Sequence, residues 1–294
     1  MDGVMHSPTT LPAMPGMLAR SLLTLLRNDN SEAEADKIEH EYSLEALSAK
    51  RIDAYKNMFG GFVSDIPLSL FYCLAQRTHL AQMLDKRFPW PAPGLVHLNN
   101  RLEQLEHIQP DQPFYIKASV SVPARGPQVS PRRLRPKFEV SFYQDNKEVV
   151  RCVSTYQVMK AQGKEAPRAK KPEAKIDKPN WTYMHHWQLG SGLGRRYARV
   201  SGDFNPIHLH PFTSRWFGFN KPIIHGMYMM ARAQADIERV EGQSANYIDV
   251  TFKRPVILPA RIRLWRNSDS PEGYEVRNND NTQVQLEGKI RFPS

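Results

Sequence analysis

Cysteine is scarce in this chain. Cys73 and Cys152 are the only two in 294 residues, too few for a disulfide framework or a zinc cluster. Cys73 falls in an apolar, helix-like stretch and Cys152 in a strand-like one. Both read as core thiols of a protein kept in a reducing compartment, so a cytoplasmic location is expected. Long apolar runs are also missing. None reaches about 18 residues, so no membrane-spanning helix is expected. Leu18 to Leu26 is apolar but interrupted by Arg20 and Ser21, with no positive cluster before it. That argues against a secretory leader and for a short amphipathic helix. The first dozen residues are expected to be disordered.

What is present is an ordinary globular composition, 40% hydrophobic and 24% charged. The length suits one large domain or two of about 130 residues. The net charge is +10, which points to an anionic partner. No helix carries Lys/Arg interleaved with aromatics and no nucleic-acid motif appears, so nucleic acid is not expected. A phosphate-bearing cofactor or an acidic carrier protein fits the charge.

The clearest boundary is 161–179, rich in Lys and Arg, with three prolines and Ile176 as its one aliphatic residue larger than alanine. Such a segment cannot bury a core and reads as an exposed basic linker. It divides the chain into an N-terminal extension (1–40), a first half (41–160) and a second half (180–294).

The halves share a plan. In the first, Ser64-Asp65-Ile66-Pro67 reads as a helix start. Leu68, Phe71, Tyr72, Ala75, His79 and Met83 then recur at three and four, the pattern of a helix buried on most of its surface. Strands follow at 114–122, 138–143 and 149–156. In the second, a short helix carries Leu193, Tyr197 and Val200 and ends at Gly202. Asn205 caps another, with Pro206 at its first position. A longer helix runs from about His225 to Val240, and alternating strands follow around 248–252, 262–264, 274–276 and 284–290. Each half is thus a central helix followed by three or four antiparallel strands. A helix apolar all round must be wrapped. The fold class expected is α+β, a double hotdog: two tandem halves, each a central helix wrapped by a curved antiparallel sheet. Two unrelated α+β domains are the alternative.

The chemistry lies in Ser201-Gly202-Asp203-Phe204-Asn205-Pro206-Ile207-His208, followed seventeen residues later by His225-Gly226-Met227. A carboxylate and an imidazole five apart across an Asn-Pro turn can converge on one water, one taking a proton and the other giving one. The helix beginning at His225-Gly226 leaves its first amides unpaired and favours negative charge there. Glycine lets a ligand approach the backbone. A carbonyl on the Gly226 amide would have its enolate stabilised. His225 itself reads as a structural residue at the helix start.

This pattern resembles the MaoC-like dehydratase, or (R)-specific enoyl-CoA hydratase, family. Phe252-Lys253-Arg254-Pro255 is similar to the strand segment after the central helix in that family. The resemblance covers about Tyr197 to Pro259, and the two-half plan is similar to the double-hotdog members, in which only the second half keeps the motif. It implies that Asp203 and His208 form a catalytic dyad, that Asn205 orients it, and that the Gly226 amide polarises a thioester carbonyl. Ser201 and Gly202 would shape the turn. With these two, His225, Met227, Lys253 and Arg254 are the candidate substrate-binding residues. The implied reaction interconverts trans-2-enoyl and (R)-3-hydroxyacyl thioesters. Coenzyme A or the phosphopantetheine of acyl carrier protein would be part of the substrate, with no other cofactor. A monomer or a homodimer of double hotdogs is expected. The first half, lacking the motif, would lack the catalytic polar site yet keep the fold, and loosened packing of its helix could open a channel for longer acyl chains.

Other chemistries are weaker. His208, His210, His225, His185 and His186 could suggest a metal, but the family pattern needs none and no cysteine supports one. Ser201 with His208 and Asp203 lacks the elbow of a nucleophilic serine. A hotdog thioesterase would carry its carboxylate on the central helix. A non-catalytic acyl-binding module has no need of an acid–base pair.

Overall fold

The computed structural model describes residues 8–27, 32–130, 133–158 and 174–293. The N-terminal part holds β1 (Thr9–Thr10), α1 (Met14–Ser21) and a 3-10 turn over Leu22–Leu26. The first half continues with β2 (Asp36–Leu44), α2 (Ala49–Phe59), α3 (Leu70–Leu84), β3 (Leu95–Gln104), β4 (Phe114–Val122), β5 (Lys137–Gln144) and β6 (Lys147–Val158). The second half holds β7 (Trp181–Leu189), α4 (Leu193–Ser201), α5 (Pro211–Ser214), α6 (Gly226–Glu241), β8 (Tyr247–Phe252), β9 (Ala260–Asn267), β10 (Gly273–Asn278) and β11 (Val284–Arg291).

All strands join one sheet in the order β1-β2-β4-β5-β6-β3-β8-β11-β10-β9-β7. The two halves match strand for strand: β2-β4-β5-β6-β3 mirrors β7-β9-β10-β11-β8 across the central β3–β8 pair. That antiparallel pair runs from Asn99 opposite Thr251 to Glu103 opposite Tyr247. The internal repeat is therefore real, and each half is a hotdog, a helix against a curved antiparallel sheet. The expected plan needs three additions. Each half also has a strand before its helix, β2 and β7, and the first half has β3 directly after α3; the sequence pattern revealed none of them. β2 buries only Ile38 and Tyr42, and β7 only Trp187 and Leu189. Strands near a sheet edge pack on few neighbours and lose the alternation that marks inner strands such as β4.

The central helices α3 and α6 contribute to one continuous core. α3 is buried around its circumference, with Leu70 to Ala75, Thr78 to Leu80, Gln82 and Met83 all inside. The expected loosening of this helix does not occur. Its start is also corrected, from Ser64–Pro67 to Leu70. The cause is α6. The Glu238 carboxylate accepts the Val63 and Ser64 amides at 3.0 and 3.1 Å and the Ser64 hydroxyl at 3.0 Å. The Gln234 carbonyl oxygen accepts the Ser69 amide at 3.1 Å. These bonds hold 63–69 out of the helix and cap α3 from the other half.

The boundary at residue 40 falls inside β2, so part of the supposed extension belongs to the first-half sheet. Thr9 and Thr10 pair in parallel with Tyr42 and Ser43, and the Leu11 amide donates to the Ser43 carbonyl at 3.0 Å. These residues of the first dozen are tied down, while 1–7 lie outside the described residues. So does 159–173, most of the expected linker. The remainder runs along the second half, where Asn281 exchanges hydrogen bonds with the backbone of Ile176.

Candidate active site

The segment between β7 and α6 carries the motif. α4 ends at Gly202, whose φ of 82° only glycine adopts without strain. The chain turns there and presents Asp203. The turn is held locally. Ser201 Oγ donates to the Tyr197 carbonyl at 2.9 Å and accepts the Asp203 amide at 3.1 Å. Asp203 Oδ1 accepts the Asn205 amide at 3.1 Å. Asn205 then caps the 3-10 turn Pro206–His208 through the Ile207 amide, as its sequence signature predicts. α4 lies hard against the same turn, since a Cβ on Gly194 would fall 2.2 Å from the His208 carbonyl oxygen.

Asp203, His208 and His225 converge, each offering one ligand atom within 4.8 Å of the others. His208 Nδ1 lies 2.8 Å from the Ile223 carbonyl. A carbonyl only accepts, so Nδ1 carries the hydrogen and Nε2 keeps the lone pair. His225 Nε2 lies 3.0 Å from the Asp203 carbonyl oxygen, which fixes its hydrogen on Nε2. Its Nδ1 is buried with no hydrogen-bond partner among the described residues. The two imidazoles stack with centroids 3.7 Å apart. His225 thus packs one face of His208 and pins the Asp203 turn, the structural role its position suggested.

Burial pushes the His208 pKa below the ordinary imidazole value, against the pull of Asp203 and the Ile223 carbonyl. Burial, joined by repulsion from His208, takes His225 to about 3. For Asp203, burial alone would raise the pKa. His225, His208, the Gln76 side chain and the Asn205 amide outweigh it and hold the carboxyl below its usual value. The resting pair is an anionic carboxylate beside a neutral imidazole with a free Nε2.

Gly226 follows His225 directly as the first residue of α6, and no side chain caps that helix. Its first amides therefore lack intrahelical acceptors next to the cluster. Glycine is also required sterically. A Cβ here would lie 2.6 Å from the Phe252 ring. The tight packing and the amide donor are both present at one residue.

Other candidates contribute no side-chain group to this cluster. Ser201 spends its hydroxyl on the backbone and is buried. Met227 is buried in the core. Lys253 and Arg254 are exposed beyond β8, and Lys253 pairs with Glu287 at 2.8 Å. The wider histidine constellation does not assemble. His185 pairs with Asp236 at 3.1 Å, and His210 caps the Phe212 amide. Asp236 and Glu238 are buried carboxylates on the central helix. Asp236 is taken up by Trp187, His185 and Arg239, and Glu238 by the bonds to 63–64 together with Gln234 and Ala245. Two surface clefts, one beside Asp36, Lys37 and Arg135 and one beside Tyr115 and Tyr143, involve none of the motif residues.

Sequence reasoning missed Gln76 and Phe252 as parts of the site. Gln76 stands on α3, in the half without the motif, and nothing in the local pattern ties it to Asp203. Phe252 is a strand residue whose partner, Gly226, is visible only once α6 lies on the sheet.

Comparison with known proteins agrees with this geometry. Residues 169–284 match the MaoC-like domain family. The chain is 29% identical over 226 residues to the protein named 3-hydroxyacyl-thioester dehydratase X of Mycobacterium tuberculosis, covering 74% of this chain and 76% of that one. It is 32% identical over 74 residues to the (R)-specific enoyl-CoA hydratase of Aeromonas caviae, covering 24% of this chain and 55% of that one. The crystal structure of HtdX from Mycobacterium tuberculosis superposes with a TM-score of 0.68 at 22% identity, over 87% of this chain and all of that one (100%). The family match spans the segment that brings Asp203, His208 and His225 together.

Proposed function

We propose that this protein is a hydro-lyase that interconverts trans-2-enoyl thioesters and (R)-3-hydroxyacyl thioesters. One observation carries the reading: an anionic carboxylate and a neutral imidazole, each fixed by backbone bonds, meet at one point beside an uncapped helix N-terminus. The names of the relatives, a 3-hydroxyacyl-thioester dehydratase and an (R)-specific enoyl-CoA hydratase, support it.

The reaction follows from the groups. A water held between Asp203 and His208 Nε2 gives up a proton to the pair as its oxygen bonds to C3 of the enoyl group. The C2–C3 π electrons move toward the thioester, and negative charge gathers on the carbonyl oxygen. The Gly226 amide and the α6 dipole stabilise that charge, a contribution of roughly 2.7–4 kcal/mol for a single well-placed donor. The pair then returns a proton to C2. One water is added and the pair ends as it began. Dehydration is the same path reversed.

A free-standing binding module would not need two titratable groups held in complementary states. A thioesterase reading needs an available carboxylate on α6, and Asp236 and Glu238 are both occupied by structural bonds. The acyl carrier is coenzyme A or the phosphopantetheine arm of an acyl carrier protein. Exposed Arg195, Arg196, Arg199 and Arg215 in the site-bearing segment suit either anionic carrier. Both cysteines are free and buried, which supports a cytoplasmic setting, and no described helix is long and apolar enough to cross a membrane. The test is direct. Incubation with crotonyl-CoA and decenoyl-CoA should deplete the enoyl-thioester absorbance and yield the (R)-3-hydroxy product. No turnover on any chain length or carrier would reject the proposal.

A further inference from the structure

The half without the motif carries a buried polar cluster of its own. Tyr72, on α3, brings its hydroxyl 3.3 Å from His97 Nδ1 and 3.2 Å from the Tyr156 hydroxyl. The Tyr156 hydroxyl in turn lies 3.2 Å from His79 Nδ1. The result is a chain, His97–Tyr72–Tyr156–His79. Tyr72, Tyr156 and His79 are 4%, 7% and 1% exposed. A bulge in β3 between His97 and Asn99 shifts the register there, and His97 stacks on its cross-strand partner Tyr156 at 4.6 Å.

The chain borders the candidate site. His97 packs on Phe252 with centroids 5.0 Å apart, and the same Phe252 ring packs against Gly226. The Asp203 charge acts on Tyr72, Tyr156 and His97. One ring therefore separates the proposed thioester position from the network.

Proton counting makes the network incomplete. Burial keeps both imidazoles neutral, with His97 near 3 and His79 displaced in the same direction. Three hydrogen bonds in series need three hydrogens, and the two hydroxyls supply two. One imidazole must donate through Nδ1, so its Nε2 is a bare acceptor. The other imidazole accepts at Nδ1, so its Nε2 carries a hydrogen. Both Nε2 atoms are buried without a well-formed hydrogen bond, but the Asn99 backbone also acts on the His97 ring, so His79 Nε2 is the nitrogen left without any partner among the described residues. A buried polar group left unpaired is costly. Whichever way the chain runs, a hydroxyl can complete it at His79, because a hydroxyl both donates and accepts.

We infer that this protein recognises a hydroxyl on the acyl chain of its substrate, distal to the reacting carbons, through the His97–Tyr72–Tyr156–His79 chain. The inference rests on the hydro-lyase reading for the placement of the acyl group. A plain alkyl chain would leave His79 Nε2 unpaired, whereas a hydroxylated one would satisfy it.

The test separates binding from turnover. Saturated acyl-CoA thioesters from hexanoyl to decanoyl, each with and without a hydroxyl on the terminal carbon, are titrated calorimetrically. They have no double bond to hydrate. At one chain length the hydroxylated thioester should bind about tenfold tighter or more than its plain counterpart. His79→Leu and Tyr156→Phe should each bring that ratio close to one, and Tyr156→Phe removes a single oxygen should the first variant fail to fold. A ratio below about two at every length, or a preference unaffected by either variant, overturns the inference and leaves His79 Nε2 to buried water. If the preference holds while no trans-2-enoyl thioester turns over, the hydro-lyase reading fails and the recognition site stands.

Discussion

His208 donates its Nδ1 hydrogen to the Ile223 carbonyl at 2.8 Å, and that single bond decides which nitrogen can act as a base. Ile223 lies fifteen residues further along the chain, on the approach to α6. The bond therefore couples the tautomer of His208 to the seating of the central helix.

If His208 Nε2 and the Asp203 carboxylate move the protons, removing either should be severe. Asp203→Asn keeps the size and the turn but loses the charge, and His208→Ala loses the base. Each should lower kcat by about 10²–10⁴. The double variant should be little worse than the weaker single one, because the two act as a unit. Enoyl-thioester absorbance is the readout. A chelator should leave the wild type unaffected. Single variants within a few-fold of wild type would return Asp203 and His208 to a purely structural role.

The pH profile carries a sign. His208 has a pKa below the ordinary 6.5, and the neutral form is the base. Hydration kcat/KM should stay level through neutral pH and fall only as acid protonates His208, with its midpoint below 6.5. A limb centred at or above 6.5 would contradict a depressed His208.

Stability should follow the same groups. A histidine whose folded pKa is depressed makes the unfolded state bind more protons below about 6.5, so stability falls as pH drops from there. For His225 and His97 the window runs from about 6.5 down to about 3. Asp203, lowered from 3.8, adds a loss only below that value. Thermal denaturation between pH 7 and pH 4 should show a progressive fall in Tm. A flat Tm over this range would mean that neither imidazole is buried as described.

Gly226 tests packing before it tests catalysis. Proline there would strike Phe252 as any side chain would, so Gly226→Pro cannot separate the amide from the packing. Gly226→Ala retains the amide and should destabilise the fold by about 1–3 kcal/mol through overpacking. Phe252→Leu in the same chain should recover part of that loss, a coupling measurable by denaturant unfolding. Additive effects would mean that the two residues do not touch.

Glu238 joins the halves. It is fully buried and accepts hydrogen bonds from Val63, Ser64, Gln234 and Ala245. Glu238→Ala should cost at least about 3 kcal/mol, since several buried donors lose one acceptor together. Conversely, cutting the chain within 161–173 should leave the two parts co-eluting, held by the β3–β8 pair and these bonds. Separation of the fragments on a sizing column would refute one continuous sheet.

The sequence by itself determined most of the inner strands, though not the central β3, together with the two apolar helices and the local chemistry of the turn from Ser201 to His208. These depend on contacts a few residues apart: alternation in β4, periodicity in α3, an Asn cap before Pro206, a glycine at a positive φ. It also determined that Asp203 and His208 could meet, because five residues across an Asn-Pro turn leave little freedom. Tertiary structure alone decided the rest. The strands β2 and β7, at or beside the sheet edges, were invisible because they bury too few residues to alternate. The start of α3 shifted because Glu238 and Gln234, more than 160 residues away, claim the amides before it. The polar interior of the first half arose because a β3 bulge brings His97 onto Tyr156 and beside Tyr72. Local pattern fixes what each residue can do, and packing across the two halves fixes which residue it does it with.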